Sequence, residues 1–255
     1  MVDKETITKT FNKVIETKCK PDYISSPTDK EKEFISNFFN DNKDPNNNES
    51  MENYITCNGM DDAEKQYDDD YNRLQKNIEE TQFTDDEKYA KEEWTGQTYT
   101  DMNYYLFHIK NNPKEYEKAS KYHDLDQLEK LTNNLITATD KSGRIDKNRH
   151  LYRIDSEGLG FTVHEGEVIT LKGFQSLTYD KTLMDTNKQQ FDEISREMDE
   201  PLSAYSKEYY IPSNTKGLLI GGIEQELLIP PNTRIYCFNI NKQQRHAQFL
   251  ILPEQ

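Results

Sequence analysis

The hydrophobic pattern of this chain changes period once, at the segment SGRIDKN spanning 142–148. Ahead of it, DLDQLEKLTNNLITATD places Leu125, Leu128, Leu131, Leu135 and Ile136 on one helical stripe. Behind it come short apolar or β-branched runs, HLYRI, EVITLKGFQSLT, KGLLIGG, QELLI and TRIYCFNI, bounded by Gly, Pro and Asn. Helices followed by strands predict an α+β fold with a mostly antiparallel or mixed sheet, because a doubly wound sheet needs the two to alternate. No G-x-G-x-x-G follows a strand, so a dinucleotide bound here is not held by a dinucleotide-binding fold.

Capping and turn residues place the finer boundaries. Thr84 and Asp85 precede an acidic first turn, which predicts a helix start there, with helices continuing to about residue 140. LLIPPNTRIYCF reads as a hairpin with Pro230, Pro231 and Asn232 at its turn, and 180–200 as a further helix carrying Leu183, Phe191 and Ile194. Residues 1–84 are rich in Asn, Asp, Glu and Lys, with a loop at 41–50 and a polar helix at 61–80. Ile7, Phe11 and Ile15, then Phe34 and Phe38, predict short amphipathic helices on either side of Pro27. The expected division is a polar, mainly helical appendage over 1–84 and a catalytic domain over 85–255.

Charge and composition exclude several classes. Although 31% of residues are charged and only 33% hydrophobic, 16 Tyr and 11 Phe supply the aromatic area of a folded protein. A formal charge of −15 repels phosphate backbones, which argues against nucleic acid as a partner. MVDKETITKTF has no apolar core of signal-peptide length and no run of about 18 apolar residues occurs, so neither Sec export nor membrane spanning is expected. Cys19, Cys57 and Cys237 form neither a disulfide framework nor a zinc pattern, and His108, His123, His150, His164 and His246 show no helical ligand spacing. No metal is expected, and a reducing compartment fits.

Three strand segments carry candidate chemistry. Glu224 and Glu226 flank Gln225 behind the pair Gly221 and Gly222; in an extended chain both carboxylates face one space. Arg153, beside Tyr152 in the apolar HLYRI, needs an anion to offset its desolvation, which a salt bridge or a diphosphate satisfies. Ser176 and Thr178, after Gly173 and Phe174, share one face of a strand and offer hydroxyls to a ligand or a carboxylate.

An Arg on a first strand, an aromatic-x-Ser-x-Thr strand next, and E-x-E after a glycine-bearing turn resemble, in that order, the arginine-Ser-Glu class of mono-ADP-ribosyltransferases. The helical segment EEWTGQTYTDMNYYL (92–106) resembles the family's aromatic, aromatic, Asn segment through Trp94, Tyr99 and Asn103. The likeness spans roughly 85–250 and leaves out the N-terminal stretch. It implies an ADP-ribosyltransferase-like fold, N-terminal helices followed by a split sheet. Two departures stand out. Leu219, Ile220, Gly221, Gly222 and Ile223 occupy a turn where the family commonly has an aromatic, and either Phe191 or Tyr179 would serve as the Phe over the nicotinamide.

The resemblance implies that NAD is a co-substrate. Glu226 would stabilise the oxocarbenium-like ribose and hold its 2′-hydroxyl, with Ser176 orienting the carboxylate. Glu224 would hold the acceptor guanidinium and accept its proton, which favours an arginine acceptor on a target protein. Arg153 would bind the phosphates, Asn103 and Tyr99 would line the site, and backbone near Tyr152 would meet the nicotinamide amide. The rival readings are an NAD glycohydrolase, with water as acceptor, and a non-enzymatic acidic interaction protein. A phage protein that modifies host proteins in the host cytoplasm is the expected source, ahead of a bacterial effector or toxin component.

Overall fold

The computed structural model describes residues 24–40, 50–57, 59–96, 98–121, 124–156, 163–198, 204–221 and 225–254. Its helices are α1 (Asp29–Phe38), α2 (Met60–Asp70), α3 (Lys76–Gln82), α4 (Asp85–Thr95), α5 (Thr98–Tyr104), α6 (Pro113–Ala119), α7 (Leu125–Lys141) and α8 (Lys181–Met198). Single π-helical turns follow α2, at Tyr71–Gln75, and α5, at Tyr105–Ile109. The strands are β1 (Ile24–Ser25), β2 (Arg149–Ser156), β3 (Val168–Thr170), β4 (Gln175–Thr178), β5 (Ala204–Ile211), β6 (Leu218–Ile220), β7 (Glu226–Ile229), β8 (Arg234–Asn241) and β9 (His246–Ile251).

Helices precede the large strands, as the change of hydrophobic period requires. Thr84 caps α4 through a capping box with Glu87, two reciprocal bonds of 3.2 and 2.8 Å that satisfy donors a helix start leaves orphaned. Asp124 caps α7, whose Leu125, Leu128, Leu131 and Leu135 are buried. None of the described helices is long and apolar enough to cross a membrane.

The strands run in the order β1-β3-β8-β9-β5-β2-β4-β7-β6, mixed, with β5 and β9 the parallel pair. Only Tyr152↔Thr178 joins β2 to β4, so the sheet divides there into a six-stranded and a three-stranded part. Of the connections that cross between the parts, two lie together. The chain leaves β3 for β4 through Leu171–Phe174, and β7 for β8 through Pro230–Thr233. They are tied side by side, Asn232 N–H donating to the Leu171 carbonyl (2.7 Å) and Leu171 N–H to that of Thr233 (2.9 Å).

These crossings correct two sequence expectations. EVITLKGFQSLT is two strands in different parts of the sheet. LLIPPNTRIYCF is no hairpin: β7 pairs with β4 and β6, and β8 with β3 and β9. Consecutive prolines lack the N–H groups a hairpin ladder uses, and the segment serves as a crossover.

Helices cover both faces. Trp94, Met102, Tyr105, Ile109 and the α7 leucines pack on Phe174, Leu218, Ile220 and Leu228, on one side of the small part. The opposite face, with Leu177, Leu219, Leu227 and Ile229, is covered by Ala63 and Tyr67 of α2. Residues 24–84 therefore do more than their polar composition predicts. Phe38 packs against Tyr210 and Phe238, β1 extends the sheet, and Gln75 bonds both backbone groups of Leu219 on edge strand β6 at 2.6 and 2.8 Å. Few but large apolar residues on amphipathic helices suffice for this. The expected helix around Ile7, Phe11 and Ile15 lies outside the described residues.

Candidate active site

The register at the division of the sheet sets side chains in a row. Tyr152, Thr178 and Glu226 are direct partners across β2, β4 and β7, so they share a face, and Ser176 joins them by alternation along β4. In β4 the pattern is strict: Gln175 and Leu177 are buried, while Ser176 and Thr178 are partly open. Opposite them stand the end of α4, α5 and the first half of α8. Together they enclose a cleft of about 400 Å³ lined by Trp94, Thr95, Gly96, Tyr99, Asn103, Tyr152, Arg153, Ile154, Ser176, Thr178, Leu183, Met184, Asn187 and Glu226. Eight residues singled out in the sequence, Trp94, Tyr99, Asn103, Tyr152, Arg153, Ser176, Thr178 and Glu226, thus meet in one space.

Each is held differently. Ser176 Oγ is buried and makes no hydrogen bond among the described residues, the state expected of a hydroxyl kept for a ligand or a reoriented carboxylate. Thr178 Oγ1 accepts from Asp180 N–H at 3.1 Å. Tyr152 is 1% exposed, and burial pushes its phenol well above the ordinary value. Asn103 lines the cleft but spends its amide on protein: Oδ1 accepts from Phe174 N–H and Nδ2 donates to the Phe174 carbonyl. Trp94 packs edge-on against Phe174 (5.2 Å) and lies 6.0 Å from Tyr99, which is half exposed at the rim.

Arg153 already has the anion its burial demands. Nε donates to Asp155 at 2.6 Å, and NH1 donates to the carbonyl of Ser176 at 2.9 Å, bridging the strands where they part. Burial works against the Asp155 charge, and Arg153 with Lys207 outweighs it, holding the carboxyl far below the usual range.

The E-x-E segment differs from the sequence reading. Gln225 has φ +46°, a left-handed conformation, and β7 begins only at Glu226, so extended alternation does not govern the two glutamates. Glu224 lies outside the described residues. Tyr179 is excluded as the aromatic over a nicotinamide, because it is fully buried on the other side of β4 with its hydroxyl on Asp70 (2.9 Å). Phe191 lies in α8, and its side chain is outside the described set.

Sequence reasoning missed Leu183, Met184 and Asn187, which no spacing distinguishes from other residues of an amphipathic helix. It also missed Asp155, for which a signal existed, since a carboxylate two residues after a strand arginine shares its face. Among the described residues no group of three or more His, Cys, Asp or Glu stands together as a metal site.

No protein-family model and no curated protein matches this sequence. Solved structures do match, and they show the fold to be that of the ADP-ribosyltransferases. The toxin Plx2a from Paenibacillus larvae superposes with a TM-score of 0.55 at 16% identity, over 78% of this chain and 100% of that one. The ADP-ribosylating toxin BECa of C. perfringens, solved with NADH, gives 0.54 at 14%, over 78% of this chain and 50% of the other. Vis of Vibrio splendidus, solved with agmatine, gives 0.50 at 18%, over 74% and 81%.

Proposed function

We propose that this chain is a mono-ADP-ribosyltransferase that cleaves the nicotinamide–ribose bond of NAD and passes ADP-ribose to arginine on a target protein, in keeping with a role in modifying a host cell. The observation that carries the reading is the row Tyr152, Thr178, Glu226 with Ser176 beside it, in a cleft on the ADP-ribosyltransferase fold.

The chemistry follows from these groups. As nicotinamide departs, positive charge develops on the ribose, and the Glu226 carboxylate stabilises it in a partly enclosed site where water screens little. Ser176 Oγ, without a hydrogen bond among the described residues, is placed to turn toward that carboxylate and orient it. Arg153, held by Asp155, supplies a fixed cation for the diphosphate. Tyr99 offers a ring face at the rim, backed by the buried Trp94. Glu224 holds the acceptor guanidinium and takes its proton; Vis, with which agmatine was solved, binds a molecule carrying arginine's own side-chain group.

Incubation with labelled NAD and agmatine tests this. Labelled ADP-ribosyl-agmatine is the expected product, and Ser176→Ala slows its formation by about 10²-fold or less, as loss of one orienting hydrogen bond does. Free ADP-ribose alone would instead identify an NAD glycohydrolase, and no nicotinamide release would reject both.

A further inference from the structure

Lys207 is a cation with 1% of its side chain exposed, and the chemistry above makes no use of it. It stands opposite Arg153 in the ladder between β2 and β5. Both meet one carboxylate: Lys207 Nζ donates to Asp155 Oδ2 and Arg153 Nε to Asp155 Oδ1, each at 2.6 Å. Arg153 NH1 then donates to the Ser176 carbonyl at 2.9 Å. Four groups on three strands form a line from the core to the residue whose hydroxyl lines the cleft.

The line lies where the sheet divides. Past Tyr152↔Thr178 the antiparallel register would bring Ile154 to Ser176, but β2 and β4 make no such pair, and the guanidinium reaches the Ser176 carbonyl instead. A buried ion pair is poor evidence of stabilisation, since apolar side chains of similar volume often replace one without loss. What apolar side chains cannot do is hold an arginine in one rotamer between two parted strands. Asp155 alone can swing with Arg153; Lys207, rooted on a third strand, fixes the carboxylate from its other oxygen.

We propose that Lys207 and Asp155 are positioning residues of the transfer reaction: they fix the Arg153 guanidinium between the parted strands and, through the Ser176 carbonyl, set where Ser176 Oγ stands beside Glu226. The proposal rests on the function argued above for this cleft. It places the effect on the turnover step, because Ser176 acts on the group that meets the transition state.

The test uses the full chain and three variants, Lys207→Met, Lys207→Arg and Asp155→Asn. Nicotinamide release is measured over a range of NAD concentrations, and amide hydrogen exchange is followed across residues 175–178. Lys207→Met lowers kcat by about tenfold or more and raises KM for NAD by a smaller factor, since Arg153 also meets the diphosphate while small misplacements act chiefly on the oriented step. It also speeds exchange across 175–178, and Lys207→Arg restores both. Should Lys207→Met not fold, the isosteric Asp155→Asn carries the same expectation. A lower melting temperature with kcat per folded molecule unchanged, or unchanged exchange in β4, overturns the proposal. If the unsubstituted protein releases no nicotinamide, the proposed function fails by itself, and the exchange measurement still decides whether the relay fixes β4.

Discussion

Asn103 holds Phe174 by both backbone groups, its Oδ1 accepting from the N–H at 2.9 Å and its Nδ2 donating to the carbonyl at 3.2 Å. One side chain from the helical layer thereby sets the start of the strand that carries Ser176 and Thr178. Asn103→Ala leaves two backbone groups to find other partners, at about 1–3 kcal/mol for each that stays dry. Chemical denaturation reads the loss, and Asn103→Asp recovers only the half that accepts from Phe174 N–H.

Gly173 is required by the same contact. A Cβ there would stand 2.5 Å from Asn103 Oδ1 and 2.7 Å from the Phe107 ring, so Gly173→Ala forces α5 and its following turn away from β4. The expected cost is about 1–3 kcal/mol, seen as a melting temperature lower by roughly 3–10 °C. An unchanged melting temperature would mean that the helix yields freely.

The segment ahead of residue 85 is joined to the sheet through a buried ion pair. Asp70, with none of its side chain exposed, takes Arg149 Nε at 2.8 Å and NH2 at 2.6 Å, and also the Tyr179 hydroxyl. Asp70→Ala strands a buried guanidinium and costs about 3–5 kcal/mol, whereas Asp70→Leu with Arg149→Met together costs much less. A double-mutant cycle in urea measures the difference.

Acid should unfold the protein through particular carboxylates. Burial would raise Glu208, but hydrogen bonds from His150 and Gln248, with the adjoining imidazole of His246, outweigh it and hold the carboxyl at about 2. Burial likewise opposes Glu31, and Arg234 with the Thr28 cap brings it to about 2. Both folded values lie below the unfolded one, so the stability they confer is complete above about pH 4.3 and is lost as pH falls toward 2. Melting temperature should therefore drop between about pH 4.5 and 2, and Glu208→Gln should flatten that slope while lowering stability at neutral pH.

Local signals were legible because they act over a few residues: the Thr84 cap, the leucine stripe of α7, the alternation of Ser176 and Thr178. The cleft residues Arg153, Ser176 and Glu226 could be named from strand order, yet what Arg153 touches could not, since Lys207 is 54 positions away. Long-range pairing also decided the failures. LLIPPNTRIYCF has the local chemistry of a turn, but β8 finds more partners beside β3 and β9 than beside β7. Gln225 reads as an ordinary strand residue, and only the turn into β7 puts it at positive φ. Phe38 was legible as part of an amphipathic stripe, but the polar average of 24–84 hid that Tyr67 and Gln75 also dock on the sheet.

The central claim is that Glu226 cleaves NAD and passes its ADP-ribose to a guanidinium. The most direct measurement follows nicotinamide release and labelled protein together, in a lysate supplied with labelled NAD, for the unsubstituted chain, Glu226→Ala and Glu224→Gln, each checked for folding by circular dichroism. Glu226→Ala is expected to lose both signals, by about 10²–10³-fold or more, and Glu224→Gln to keep nicotinamide release while losing label on protein. Nicotinamide release that survives Glu226→Ala at full rate would contradict the account.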